Sequence, residues 1–132
     1  MSFSDRNVHK DAEVAVKTLV VAIPTAVSQS DVVAYSHTPG FDFEILSVKS
    51  YCRVKAGTVT GQVKVATGSV LQAAAVFTTA TEVNAALVAS RAGRRGTRTQ
   101  AINVHFTTDG TGALTNGFLT IRYRKRHLAG EG

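Results

Sequence analysis

The sequence has a single cysteine, no tryptophan, one methionine and two prolines, and it lacks any long apolar run. One cysteine, Cys52, excludes an intramolecular disulfide, so we expect folding in a reducing compartment. The longest apolar runs, such as residues 19–23, have five residues and are far shorter than the roughly 20 residues that cross a bilayer. The first residues contain no apolar signal-peptide region. We therefore expect a soluble protein without a membrane partner.

Acidic residues are scarce in the last third of the chain. Residues 91–132 hold eight Lys and Arg side chains against Asp109 and Glu131, whereas residues 1–90 hold seven charges of each sign. The whole net charge of +6 therefore lies in the last third. A localised positive field predicts an anionic partner. Charge alone does not decide between nucleic acid, protein and membrane.

The excess charge falls in two segments, R-A-G-R-R-G-T-R at 91–98 and R-Y-R-K-R-H at 122–127. Nucleic-acid modules interleave aromatic and basic residues so that bases can stack. Only Tyr123 lies among these cations, and strand alternation turns it away from Arg122 and Arg124. Guanidinium groups pair with phosphates and carboxylates alike, so we favour an acidic protein surface, keeping nucleic acid and a merely solvated loop as alternatives. The predicted docking residues are Arg91, Arg94, Arg95, Arg98, Arg122, Arg124, Lys125 and Arg126.

Period-2 alternation between turn signals predicts an all-β fold. The expected strands cover residues 14–23, 31–36, 41–55, 59–66, 70–77, 82–89, 99–107 and 117–124. For 82–89 a strand is favoured, with a short helix as the alternative because T-A-T-E at 79–82 fits a capping box. Eight strands favour a jelly-roll-like β-sandwich of two four-stranded antiparallel sheets. We expect an N-terminal arm at 1–12, the sandwich at 13–126 and a C-terminal tail at 127–132, with flexible termini.

The third segment contains a phase slip. Phe41, Phe43 and Ile45 share one face, and after Ile45 the apolar parity reverses. A one-residue slip inside a long strand predicts a β-bulge or a strand that crosses between sheets. The residues that then face inward are Leu46, Val48, Ser50, Cys52 and Val54. Cys52 is accordingly expected to be a small buried hydrophobe, not a reactive thiol.

The sequence shows no arrangement that predicts catalysis. It has no G-x-S-x-G elbow and no phosphate-binding loop, and its four histidines lack metal-ligand spacing. His37 could approach Asp42 or Glu44, which would make a paired-carboxylate or metal site. The favoured interpretation of those two acids is an exposed polar face opposite Phe41 and Phe43. We therefore expect no enzyme activity, no cofactor and no metal.

The segment N-V-H-F-T-T-D-G-T-G-A-L-T-N-G-F-L-T-I-R-Y-R at 103–124, with G-S-V-L-Q-A-A-A at 68–75 and the basic turn between them, resembles capsid cement (decoration) proteins of tailed phages. The resemblance spans most of 41–124. It implies a jelly-roll protein, made in the host cytoplasm, that binds the outside of an icosahedral head, bridges neighbouring capsomers and stabilises the shell. The implied partners are the major capsid protein and further copies of this chain, a dimer being favoured over a trimer. A receptor- or glycan-binding virion jelly roll stays as an alternative, although the chain has few aromatics for stacking on sugars.

Overall fold

A computed structural model describes residues 16–23, 32–108 and 112–126. Strands dominate these residues, and one turn of 3-10 helix occurs at Ala92–Arg94. The strands are β1 (Val16–Ala22), β2 (Val32–His37), β3 (Phe43–Tyr51), β4 (Val54–Ala56), β5 (Val59–Val65), β6 (Gly68–Ser69), β7 (Ala75–Val76), β8 (Val83–Ala85), β9 (Arg95–Gly96), β10 (Ile102–Thr108), β11 (Ala113–Thr115) and β12 (Phe118–Lys125). The predicted arm at 1–12 and the predicted tail at 127–132 lie outside the described residues.

Two larger antiparallel sheets form the fold. The first has the order β1-β12-β3-β8, with β9 also paired to β3, and the second has the order β2-β10-β5-β6, with β7 also paired to β5. A small sheet pairs β11 with β4. These orders pair β1 with β12, β2 with β10, β3 with β8, and β5 with β6 and β7. This is one long hairpin rolled into two sheets, as in a jelly roll, and it confirms the predicted all-β sandwich.

The core lies between the two sheets. Every second residue of β5 and β10, and of β12 as far as Tyr123, is buried, as expected when one face of a strand packs inward. The alternating apolar residues of β10 and β12 are all in this core: Ile102, Val104, Phe106, Leu119, Ile121 and Tyr123. Apolar side chains of both sheets belong to one hydrophobic cluster, so the sandwich is a single packed unit.

The predicted bulge is present in β3. Tyr123 of β12 lies opposite Ile45 and Arg122 lies opposite Ser47, so Leu46 is the extra residue. The bulge returns Val48 to the inner side after Ile45, and both are buried. The predicted inward position of Val54 is wrong, because β3 ends before it and β4 pairs with β11 in the small sheet. Val54 is exposed.

The predicted strand at 70–77 is interrupted. Leu71 bridges to Leu87, and the Gln72 amide donates a hydrogen bond to the Ala86 carbonyl at 2.9 Å. The chain therefore leaves β5 after β6 and returns to it at β7. Gln62 supports the departure, since its side-chain oxygen accepts a hydrogen bond from the Leu71 amide at 3.2 Å.

The preference for a strand within 82–89 is confirmed over the three residues of β8, which pair with β3. The T-A-T-E segment caps no helix. Glu82 forms an ion pair with Lys49 of the neighbouring β3, with Nζ and Oε1 3.6 Å apart. Pairing with β3 therefore prevails over the local capping signal.

Gly96 of β9 is buried against the Phe43 ring, and a Cβ added to it would overlap that ring. We expect Gly96→Ala to lower the free energy of unfolding by about 2 kcal/mol, because the core must shift to admit one carbon atom. Gly68→Ala is the matched control, since its Cβ would meet nothing closer than the Val65 carbonyl oxygen at 3.6 Å. Urea denaturation measures both variants. Equal denaturation midpoints for the two variants would contradict the expected clash.

Candidate functional site

The outer side of the first sheet carries a row of charged residues across three strands. Arg124 of β12 lies opposite Glu44 of β3, and Glu44 lies opposite Arg95 of β9. Alternation along β12 turns Tyr123 into the core, where it is buried. The prediction that Arg122 and Arg124 face away from Tyr123 agrees with this arrangement.

Glu44 is the centre of the row. Arg91 donates hydrogen bonds to both of its carboxylate oxygens, from Nη2 to Oε1 at 3.0 Å and from Nε to Oε2 at 3.4 Å. Arg95 Nε and Arg124 Nη2 lie 3.6 and 3.8 Å from the same Oε1. We call Arg91, Arg95 and Arg124 the arginine cluster. Glu44 is only 4% exposed, so the expectation of an exposed polar residue here is wrong: guanidinium groups cover the carboxylate.

The cluster also sets the protonation of Glu44. Burial raises the pKa of this carboxyl, but the hydrogen bond from Arg91 and the three guanidinium charges together outweigh burial. The pKa of Glu44 therefore lies below its ordinary value of 4.5, and the side chain is ionised at neutral pH. Three cations around one anion leave the cluster with an excess of positive charge.

Asp42 holds the two basic segments together through the backbone. Its Oδ1 accepts a hydrogen bond from the Arg98 amide at 2.9 Å, and its carbonyl oxygen accepts one from the Arg126 amide at 2.7 Å. Glu44 and Asp42, at and just before the start of β3, thus bind both the 91–98 loop and the end of β12. Two segments far apart in the sequence become neighbours in the fold.

The structure separates the predicted docking residues into different environments. Arg122 is exposed on the outer side, opposite Ser47; with the arginine cluster it forms what we call the basic face. The Arg94 guanidinium group donates to the Ala89 and Ser90 carbonyls at 3.2 and 3.5 Å, so it closes its own loop.

The three remaining predicted residues lie at the margin of the basic face. Arg98 is exposed and is tied to Asp42 through its backbone amide. Arg126 is tied to Asp42 in the same way and is half-buried. Lys125 is half-buried, and strand alternation places it on the side of the sheet opposite Arg124. These three residues therefore do not extend the row of charged residues that is centred on Glu44.

The structure does not bring together the alternative site at His37, Asp42 and Glu44. His37 Nε2 lies 3.1 Å from the Tyr123 hydroxyl. Asp42 accepts hydrogen bonds from two arginine backbone amides, and Glu44 contacts the arginine cluster. Among the described residues, no group of three or more His, Cys, Asp or Glu side chains could hold a metal ion. Nor is any helix in the described ranges long and apolar enough to span a membrane.

Cys52 is fully buried in the core, as predicted. Burial raises the pKa of its thiol, and the charge of Lys55 only partly offsets this effect. The thiol is therefore protonated at neutral pH, and the thiolate is the form that acts as a nucleophile.

No protein family, curated protein or solved structure matched this chain. The geometry of the basic face must therefore carry the functional inference.

The Glu44 carboxylate is expected to make stability depend on pH. We expect Glu44→Gln to lower the free energy of unfolding by about 2 kcal/mol at pH 7, because the guanidinium groups then face a neutral amide in place of a charged acceptor. Since folding lowers the pKa of Glu44, its stabilisation is complete above the unfolded value near 4.5 and is lost as the pH falls through the folded value. Urea denaturation at a series of pH values measures this difference.

Glu82→Gln is the control for this experiment, because Glu82 forms a more exposed ion pair with Lys49. Such pairs contribute about 0–1 kcal/mol. A Glu44→Gln effect that is as small as this, or that persists unchanged at pH 3, would contradict the assigned role of the Glu44 carboxylate.

Proposed function

We propose that this chain is a non-enzymatic virion structural protein, a capsid cement protein that binds the acidic exterior of an icosahedral phage head through its basic face. The observation that carries the proposal is the outward row of arginines fixed on the first sheet by Glu44. The resemblance of residues 41–124 to cement proteins supports the same assignment. The partner is the major capsid protein, and the protein acts at the capsid exterior after synthesis in the host cytoplasm.

The positions of the arginines favour docking to a folded surface. Arg122 and Arg124 lie two residues apart on one strand, which separates them by about 7 Å. The arginine cluster is already held in place by Glu44 before any partner arrives. Pre-organised side chains lose less conformational entropy on binding than free ones. A rigid jelly roll with a fixed basic face therefore suits a structural contact.

The other end of the same outer side is aromatic. Tyr51 and Phe118 lie opposite each other on β3 and β12, and their ring centroids are 5.3 Å apart. Both side chains are half-buried. Tyrosine and arginine are enriched at the energetic centres of protein interfaces. An aromatic pair at one end of the outer side and a charged row at the other end together suit a protein partner.

The same packing makes nucleic acid the less favoured partner. Tyr123, the aromatic residue within the basic segment, is buried and its hydroxyl lies 3.1 Å from His37 Nε2. It cannot stack on a base, which is the contact that single-stranded binding modules use. The remaining attraction to nucleic acid would be that of guanidinium groups for phosphates.

We also expect the protein to self-associate, as a dimer in preference to a trimer. Copies that are linked in an oligomer and attach to one shell at the same time bind it more tightly than a single copy does. This expectation follows from the resemblance to cement proteins.

Charge reversal of Arg122 tests the proposal. We expect Arg122→Glu to weaken binding to assembled heads about tenfold at physiological salt, chiefly by slowing association. Lys55→Glu makes the same charge change at an exposed position on β4, outside the first sheet, and should bind normally. Co-sedimentation with purified heads measures both variants. Arg94 and Arg95 are poorer choices, because Arg94 closes its loop and Arg95 contacts Glu44.

Two results would contradict the cement role. One is an equal loss of binding in the two variants. The other is heads that withstand heat equally well with and without the protein. Binding to duplex DNA that is tighter than binding to heads, with a steep dependence on salt, would favour the nucleic-acid alternative.

A further inference from the structure

The arginine cluster has more hydrogen-bond donors than Glu44 can satisfy. A guanidinium group carries five N–H donors, whereas an ionised carboxylate offers about four acceptor positions. Arg91 makes the hydrogen bonds to Glu44, while the contacts of Arg95 and Arg124 at 3.6 and 3.8 Å exceed the range of N–H···O hydrogen bonds. Arg95 and Arg124 therefore interact with Glu44 mainly through charge.

Within residues 16–23, 32–108 and 112–126, two buried side-chain polar atoms lack a hydrogen-bond partner, and both lie on this side of the sheet. They are Arg95 Nε and Ser47 Oγ. Ser47 lies opposite Arg122, the next outward position along β12 from Arg124. Unsatisfied buried polar atoms are rare in folded proteins, and each one indicates strain, a functional role or an absent ligand. Arg95 Nε belongs to the arginine cluster and lies 3.6 Å from Glu44 Oε1, whereas Ser47 lies one outward position away from the cluster.

The cluster is open on its solvent side. The side chains of Arg91 and Arg124 are 57% and 43% exposed, whereas that of Arg95 is 21% exposed and Glu44 is buried beneath them. An incoming anion would meet the exposed guanidinium groups before it reached Glu44. The repulsion from one carboxylate is smaller than the attraction of three cations at similar distances.

We propose that the arginine cluster is a carboxylate-binding site that takes an Asp or Glu side chain of the docking partner. Glu44 fills the inner half of this site, and the partner's carboxylate fills the outer half, against the Arg124 guanidinium group. The planar guanidinium fork matches a carboxylate in two-point contact. This inference rests on the proposed docking function and names the chemical group that the basic face binds.

The first test uses the isolated protein and a fluorescein-labelled peptide of alternating Glu and Ser residues. Fluorescence anisotropy should show binding that Arg124→Gln weakens about tenfold, since the peptide loses a charge-assisted contact. Lys55→Gln, which removes one positive charge from β4, should leave binding unchanged. Thermal unfolding of both variants shows that each is folded at the temperature used.

The second test measures peptide binding by Glu44→Gln. A carboxylate site and a purely structural arginine cluster predict different changes in this binding. In Glu44→Gln the side-chain carbonyl still accepts a hydrogen bond from Arg91, so the arginines are held while the negative charge is lost. If Glu44 fills half of a carboxylate site, this loss of charge should tighten peptide binding severalfold. If the arginines serve only to hold the fold, the change should leave peptide binding the same or weaker. Unchanged or weaker binding therefore overturns the inference, as does Arg124→Gln binding as tightly as the wild-type protein.

The remaining outcomes separate this inference from the cement role. An oligonucleotide of equal charge that binds more tightly than the peptide overturns the carboxylate assignment in favour of phosphate. Normal binding to heads without any peptide binding overturns this inference alone. Peptide binding that follows the expected variant pattern, in a protein that does not bind heads, overturns the proposed function and leaves the carboxylate site in place.

Discussion

The contact between the Glu44 carboxylate and three guanidinium groups determines the shape of the outer side of the first sheet. Arg124 of β12 and Arg95 of β9 lie on either side of Glu44 of β3, so each arginine faces an opposite charge across its own strand pair. β9 pairs with β3 only at Phe43 and Glu44. The position of the loop that carries Arg91 therefore depends on this carboxylate and on the packing of Gly96 against Phe43.

The rolled hairpin explains why charge confined to one third of the sequence becomes a surface. Pairing the first strand with the last places β12 between β1 and β3, in the middle of the first sheet. The loop before β10 must then pass the start of β3, where Asp42 and Glu44 bind it. Both basic segments converge at one end of one sheet for topological reasons. A different strand order would have left them apart.

Local patterns in the sequence were enough to predict the longer strands and the bulge after Ile45, because alternation and its reversal are properties of adjacent residues. The short strands β9 and β11 and the outward position of Val54 were missed, because they depend on pairing with distant segments. The interruption of the strand at 70–77 was not predictable in this way, since it depends on pairing with 86–88. The burial of Glu44 was missed for the same reason: Arg91 lies 47 residues away. Strand alternation correctly placed the Glu44 side chain on the face opposite Phe43, but only the fold shows that arginines cover the Glu44 carboxylate.

The composition of the arginine cluster is difficult to explain by stability alone. One arginine in two-point contact already satisfies Glu44, as Arg91 does, and each further cation brings desolvation and repulsion from the others for a contact too long to be a hydrogen bond. A cluster selected only to hold the loop would need fewer charges. Under the docking role that we propose, the surplus has a use, because a second carboxylate from the partner would balance the cations that Glu44 leaves uncompensated.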